Sequence, residues 1–154
     1  MDQLKVLIDS DITMQLQTFS CFFMTGVIWI IQLLHYPSFR FVEFKQFYNF
    51  QKFHTQTITY IVGPLMILEI FSGLYLLLIN EFSFFWLVQM ILLILIWLCT
   101  AFLSVPLHTT LSQPHIGDIE RLQVINLLVK MNWPRTLLWS LRSLLFMVNF
   151  KVLL

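Results

Sequence analysis

Apolar residues along the chain gather into four long runs, each closed by a polar or proline-bearing junction. The first run, 14–34, has 21 residues; at about 1.5 Å per residue it covers roughly 30 Å, the thickness of a bilayer's hydrocarbon core. His35-Tyr36-Pro37 closes it, since the residue before a proline is driven out of helical geometry and a tyrosine suits the aromatic belt at the membrane surface. Ahead of this run, Leu4, Leu7, Ile8 and Ile12 recur at helical spacing while Lys5, Asp9 and Asp11 fall elsewhere. That is the pattern of a short amphipathic helix lying in the interface over 1–13.

After the first run, Arg40, Glu43, Lys45 and Lys52 alternate with Phe39, Phe41, Phe44, Phe47 and Phe50, which reads as an amphipathic surface segment feeding a second helix over 53–79. Gly63-Pro64 lies inside that helix and predicts a kink whose freed carbonyls need a partner. Asn80-Glu81 makes a tight turn, and a third helix, the most uniformly apolar, runs over 82–105 to Pro106. A loop with Pro114 and Gly117 follows, with Asp118 suited to cap a further helical segment. Trp133-Pro134 is expected to break or kink that segment, and a fourth span covers 134–150. These elements predict an all-α polytopic membrane protein: one integral membrane domain over 1–154, a four-helix bundle in up-down-up-down order, with an amphipathic amino-terminal segment and interfacial connecting segments.

Composition agrees. The 154 residues are 58% hydrophobic and 11% charged, with a mean hydropathy of +0.81, against about 45–50% and about 25% in soluble domains. Nine basic and eight acidic residues leave no positive excess to attract nucleic acid, which excludes that partner and leaves the lipid bilayer. Cys21 and Cys99 each sit in an apolar run without CxxC spacing. The acidic start, Asp2, Asp9 and Asp11 against Lys5, is the opposite of a basic leader, so no cleaved signal is expected. Arg40, Lys45, Lys52, Arg121, Lys130 and Arg135 lie near one set of helix ends, Lys5 and Lys151 near the other. The positive-inside rule then puts the long connections in the cytoplasm and both termini outside it.

Alternating helices would bring His35, His54, His108 and Arg135 to one depth at the cytoplasmic end. Gln32 lies about a turn deeper, and Arg135, Trp139 and Arg142 share a helix face. Neutral imidazoles are common ligands of zinc, copper and iron, and two on facing helices can hold a haem. His35, His54 and His108 are therefore candidate ligands of a metal ion or haem. The competing reading has each of them hydrogen-bonding to lipid phosphates or capping a helix. His115, among loop residues, is expected to be solvated.

Glu69 and Arg142 lie inside apolar runs, where a charge costs about 2.5–3.5 kcal/mol on insertion scales and should face the bundle interior. They invite pairing, yet Glu69 lies 15 residues beyond His54 and Arg142 seven beyond Arg135, roughly 22 Å against 10 Å of helix. Direct contact therefore needs a shift in level. Otherwise Arg142 serves an anionic ligand or the histidines, Glu69 bonds Gln89 or Thr18, and both groups hold helices together. Trp29, Trp97 and Trp139 lie far enough from the helix ends to wall a pocket for a planar apolar ligand. No Gly-rich phosphate loop, HExxH or paired-carboxylate motif is present, which argues against hydrolase and nucleotide-driven mechanisms. A redox or oxygenase-type protein at a histidine-bound metal or haem, with Arg135 and Arg142 holding an anionic or phenolic small molecule, stands beside two alternatives: a non-enzymatic membrane scaffold or assembly partner, and a small-molecule transporter. Oligomeric state is left open.

The run Gln32-Leu-Leu-His35-Tyr36-Pro37-Ser-Phe39, the pair Phe50-x-x-x-His54, then Val62-x-Pro64-x-Met66-x-x-Glu69, Pro106-Leu107-His108-x-x-Leu111 and Asn132-Trp133-x-Arg135-Thr136-x-x-Trp139-x-x-Arg142 resemble a family of small bacterial four-helix membrane proteins of uncharacterised function. More distantly the layout is similar to the anthrone-oxygenase-like membrane family, which implies oxidation of polycyclic phenolic substrates without a known cofactor. That family has an asparagine after the proline that ends helix three, where this chain has Leu107. Size and polar-ended helices are also similar to the haem-binding membrane protoporphyrinogen oxidases, without their lysine and arginine pattern in helix one. The resemblance implies a multi-pass protein of the bacterial inner (cytoplasmic) membrane.

Overall fold

The structure, a computed structural model, describes residues 2–153, with side chains described over 9–149. It is helical almost throughout. Helix α1 (Asp2–Ile30) passes into a π-helical segment, Ile31–His35, then a short α2 (Tyr36–Ser38) and a 3-10 turn, Phe39–Phe41. Helix α3 (Phe44–Ile79) turns into α4 (Phe84–Cys99), which continues through a second π-helical segment, Thr100–Ser104, into α5 (Val105–Leu111). A loop leads to α6 (Asp118–Leu153). The stretches Asp9–Phe41, Phe44–Ile79 and Phe84–Leu111 are long and apolar enough to cross a membrane. The chain is thus an all-α membrane protein with transmembrane helices.

Helix boundaries depart from the expectation in five places: the ends expected at His35-Tyr36-Pro37 and at Pro106 are passed, helix continuing to Phe41 and to Leu111, and three further departures each have a local reason. The amphipathic segment over 1–13 is not a separate interfacial helix: α1 runs through it unbroken. No glycine or proline precedes Gly26, and Thr13 bonds back to the Asp9 carbonyl at 2.7 Å instead of capping a new helix. The side chains of Leu4, Lys5, Leu7, Ile8 and Lys151 lie outside the described residues. Second, α3 begins at Phe44, nine residues before the expected start, because Phe47, Gln51 and His54 fall on one buried face and nothing breaks the helix before Gly63. Third, the Asp118 segment and the fourth span are one helix, continuous through Pro134.

The prolines behave in two ways. Pro64 and Pro134 sit within unbroken α-helix, whereas Pro37 and Pro106 each lie two residues beyond a π-helical segment. A proline has no N–H to donate and its ring crowds the carbonyl four residues back. Here the helix widens just ahead of it: the Tyr36 N–H reaches the Ile31 carbonyl and the Val105 N–H reaches the Thr100 carbonyl, both five residues back. At the α3–α4 turn, Glu81 and Phe82 take positive φ of 50° and 56°.

Helix α1 packs on α3 and α6, and α4 also packs on α3 and α6. Small residues let α1 approach α6: Thr25 Oγ1 and Ser143 Oγ share a 2.7 Å hydrogen bond, and Cys21 Sγ lies 3.6 Å from the same hydroxyl. One apolar cluster includes Met24, Phe39, Phe47, Ile96 and Trp139; a second includes Cys21, Leu76, Trp86 and Phe146. Along α3, α4 and α6, polar positions fall between the two: Glu69 and Ser72, Gln89, and Arg142.

Candidate functional site

The first π-helical segment and α2 present His35 and Tyr36, α3 presents Gln51 and His54, and α5 presents His108. The imidazoles do come together, with ring centroids 4.6 Å apart for His35 and His54 and 5.3 Å for His54 and His108. Phe39 stands edge-on to His35 and His54 at 5.2 and 5.1 Å.

Hydrogen bonds order the rings. His35 Nε2 and His54 Nδ1 are 2.8 Å apart, His108 Nε2 lies 2.9 Å from the Tyr36 hydroxyl, and Gln51 Nε2 lies 2.9 Å from His108 Nδ1. The Gln51 amide nitrogen must donate, so a neutral His108 carries its hydrogen on Nε2 and donates to the Tyr36 oxygen. The Tyr36 O–H is then left for another acceptor. His54 Nε2 is buried with no partner among the described residues. It bears an unaccepted hydrogen if His35 donates to Nδ1, and a bare lone pair if His54 is the donor.

Arg135 joins the histidine group from deeper along its own helix, its guanidinium lying beside Tyr36 and close to His108. Helix α6 begins at Asp118, and Arg121 on its first turns stacks over Phe44 and Phe47 while donating to the Val42 carbonyl. Arg135 therefore lies 14 residues past the level where α3 begins, roughly 21 Å along the helix. It faces Ser104, to which Nη1 donates at 2.8 Å, and Asn132 Oδ1 at 3.3 Å. Its Nε is buried with no partner among the described residues, and its guanidinium lies 5.6 Å over the Trp139 ring.

A cleft of about 560 Å³ opens beside this group. One wall is α3, from Thr55 to Ile67; the other is Trp97, the second π-helical segment and α5; Tyr36, His108 and Arg135 line its polar end. None of the lining side chains is acidic. At its apolar side Gly63 leaves open space: a Cβ there would meet only Thr59 Cγ2, at 3.9 Å.

Two turns further down α6, Arg142 reaches Glu69 after all. Its Nη1 lies 2.7 Å from Glu69 Oε1 with neither side chain exposed. The pair meets because α6 runs unbroken from Asp118, which is beside the start of α3, so that Arg142 and Glu69 lie at matching distances along their helices. Trp139 Nε1 donates to Glu69 Oε2 at 3.3 Å. Gln89 bonds Arg142 rather than Glu69, accepting from Nε at 3.2 Å and donating to the Arg142 carbonyl at 3.2 Å. Thr18 Oγ1, the other partner expected for Glu69, has no hydrogen-bond partner among the described residues. Arg142 thus belongs to an ion pair away from the cleft and does not line it.

Gln32 joins the first π-helical segment to α6 rather than reaching the histidines: Oε1 accepts from Asn132 Nδ2 at 2.9 Å and Nε2 donates to the Val129 carbonyl at 3.1 Å. Trp97 lines the cleft, Trp139 is core, and Trp29 stands outside both, donating to Ser140 and edge-on to Trp133. His115 is an exposed loop residue. Gln51, Ser104, Asn132 and Tyr36 join the site without having been expected in it. The first three sit three or four residues before His54, His108 and Arg135, the helical spacing that shares a face.

Among the described residues no group of three or more His, Cys, Asp or Glu side chains has the arrangement to hold a metal ion. Both His108 nitrogens and one of His54 are engaged in hydrogen bonds. Comparison of the chain with family models, with curated proteins and with solved structures returns no match.

Proposed function

We propose that this is a four-span, up-down-up-down protein of the bacterial inner membrane, with its long connections cytoplasmic and both termini outside, whose cleft binds an apolar small molecule through an anionic or phenolic head. Helix α6 carries three charges that face inward, Arg121, Arg135 and Arg142, each no more than 5% exposed, while Asp118, Glu120 and Lys130 are exposed. The observation that carries the binding reading is Arg135, a buried guanidinium at the polar end of a cleft that has no acidic lining residue. Cations at such depth face partners or ligands rather than lipid. The volume is within the roughly 300–1,000 Å³ typical of small-molecule sites. The resemblance to the anthrone-oxygenase-like family points to the same ligand class, with Arg135, Tyr36 and His108 around the head.

Thermal unfolding in a nonionic detergent tests this, with 1-naphthoate and 1-naphthol as probes. A ligand at 100 times its Kd stabilises by about 2.7 kcal/mol. Either probe should raise the melting temperature of the native chain and leave Gly63→Leu, whose cleft is filled, unmoved. Equal effects on both proteins would remove the reading.

Metal or haem ligation is a second reading, favoured by one atom, the unpartnered His54 Nε2. It requires the His54 tautomer with a bare Nε2 and the exchange of at least one hydrogen bond of His108. Iron, copper or zinc near one per chain, lost in both His54→Ala and His108→Ala, supports it; metal at background in the native protein removes it.

A further inference from the structure

We propose, on the same reading of the cleft, that its occupant is a single-chain amphiphile with one full negative charge, a long-chain carboxylate. The buried charges of the bundle do not cancel. Arg121 is matched by Asp118 at 2.6 Å and Arg142 by Glu69 at 2.7 Å. Arg135, 5% exposed, has neutral partners in Ser104 and Asn132 and no ion pair among the described residues. Among the described residues one buried positive charge is left, on a residue that lines the cleft.

The hydrogen-bond donors there are unbalanced in the same sense. Arg135 Nε has no acceptor, and the Tyr36 oxygen already takes the His108 hydrogen in the tautomer that Gln51 imposes, which frees the phenolic O–H. Unpartnered donors on residues that line the cleft, Trp97 Nε1 among them, call for an acceptor without hydrogens of its own, and a carboxylate brings two oxygens and the missing charge. A neutral head would leave the guanidinium uncompensated; a cationic one would add to it.

The rest of the cleft suits an alkyl chain. Val62, Met66 and Trp97 line it, Gly63 leaves it open, and Ile67 and Val105 at its edges are 50% and 53% exposed on the apolar outer surface. A chain of this kind enters sideways from the bilayer, its head drawn to Arg135 and its tail between α3 and α5.

Trp97 supplies the readout. The full chain in a nonionic maltoside detergent is titrated with 9,10-dibromo-octadecanoate, its methyl ester, and brominated phosphatidylglycerol, and the quenching specific to Trp97 is taken by difference from Trp97→Phe. The acid should quench saturably at one per chain, with half-saturation at a mole fraction at least tenfold below that of the ester and of the phospholipid. Arg135→Gln should erase the preference for the acid, and Arg135→Lys should keep it. Gly63→Leu, which has room for its side chain, should melt as the native protein does and lose saturable quenching. Equal quenching by acid and ester, still abolished by Gly63→Leu, would overturn the carboxylate assignment while the cleft stands. A phospholipid matching the acid would overturn it in favour of a membrane lipid. Quenching insensitive to Gly63→Leu would overturn the cleft itself.

Discussion

Glu69 on α3 and Arg142 on α6, 73 residues apart in the chain, form a 2.7 Å ion pair with no exposure of either side chain. The pair is embedded rather than isolated. Trp139 donates to the carboxylate, Gln89 accepts from Arg142 Nε while Arg142 Nη2 has no partner among the described residues, and the α3–α1 contact beside the pair is closed by the Ser72–Gln17 hydrogen bond. Both charges were taken out of water, so the attraction between them mainly offsets that loss, while removal of one leaves the other stranded.

Glu69→Gln and Arg142→Gln should each cost about 3–5 kcal/mol. Replacing both with apolar residues, Glu69→Leu with Arg142→Met, should cost far less than the sum. Unfolding in mixed micelles, followed by circular dichroism, checks this; single variants within about 1 kcal/mol of the native protein would contradict it.

Two glycines of α3 make opposite predictions. A Cβ at Gly73 would meet Met90 Sδ at 2.9 Å and Gln17 Nε2 at 3.3 Å, so Gly73→Ala should destabilise by about 1–3 kcal/mol through overpacking of the α3–α4 contact. At Gly63 the space is open, and Gly63→Ala should be neutral or stabilising by up to about 1 kcal/mol from helix propensity. Melting temperatures of the two variants, measured side by side, should fall for Gly73→Ala and hold or rise for Gly63→Ala.

Apolar runs and proline positions made the membrane helices legible, because 20-residue lengths and the cost of a buried charge leave few other solutions. The clustering of His35, His54 and His108 followed from the ends of those runs. The level of Arg142 against Glu69 was not legible. It depends on α6 passing through Pro134 back to Asp118, and a proline in sequence does not say whether neighbouring helices will hold it inside a helix or let it end one. The same ambiguity separates Pro64 and Pro134 from Pro37 and Pro106. Gln51 was not legible either, because amides at helical spacing are ordinary surface residues, and only packing shows that this one is buried against His108.

Tyr36 and His115 separate a site residue from a solvated one. Tyr36→Phe leaves the His108 Nε2 hydrogen without its acceptor, a loss of about 1–3 kcal/mol for a buried group, and removes a donor from the cleft. His115→Gln, in the exposed loop, should stay within about 0.5 kcal/mol. Melting temperatures should therefore fall for Tyr36→Phe and hold for His115→Gln.

The proposed orientation is checked by single added cysteines. Glu43→Cys and Glu81→Cys lie at opposite ends of α3, so a membrane-impermeant maleimide applied to spheroplasts should label position 81 and reach position 43 only after lysis. Cys21, which is buried, and the half-buried Cys99 are replaced by alanine beforehand. Labelling of position 43 in intact spheroplasts would invert the topology.

The measurement closest to the central claim is native mass spectrometry of the protein released from its own membrane with no ligand added. The expected result is one small-molecule adduct per chain on the native protein, absent from both Arg135→Gln and Gly63→Leu. A bare native chain, or an adduct that survives both substitutions, would contradict a ligand site headed by Arg135.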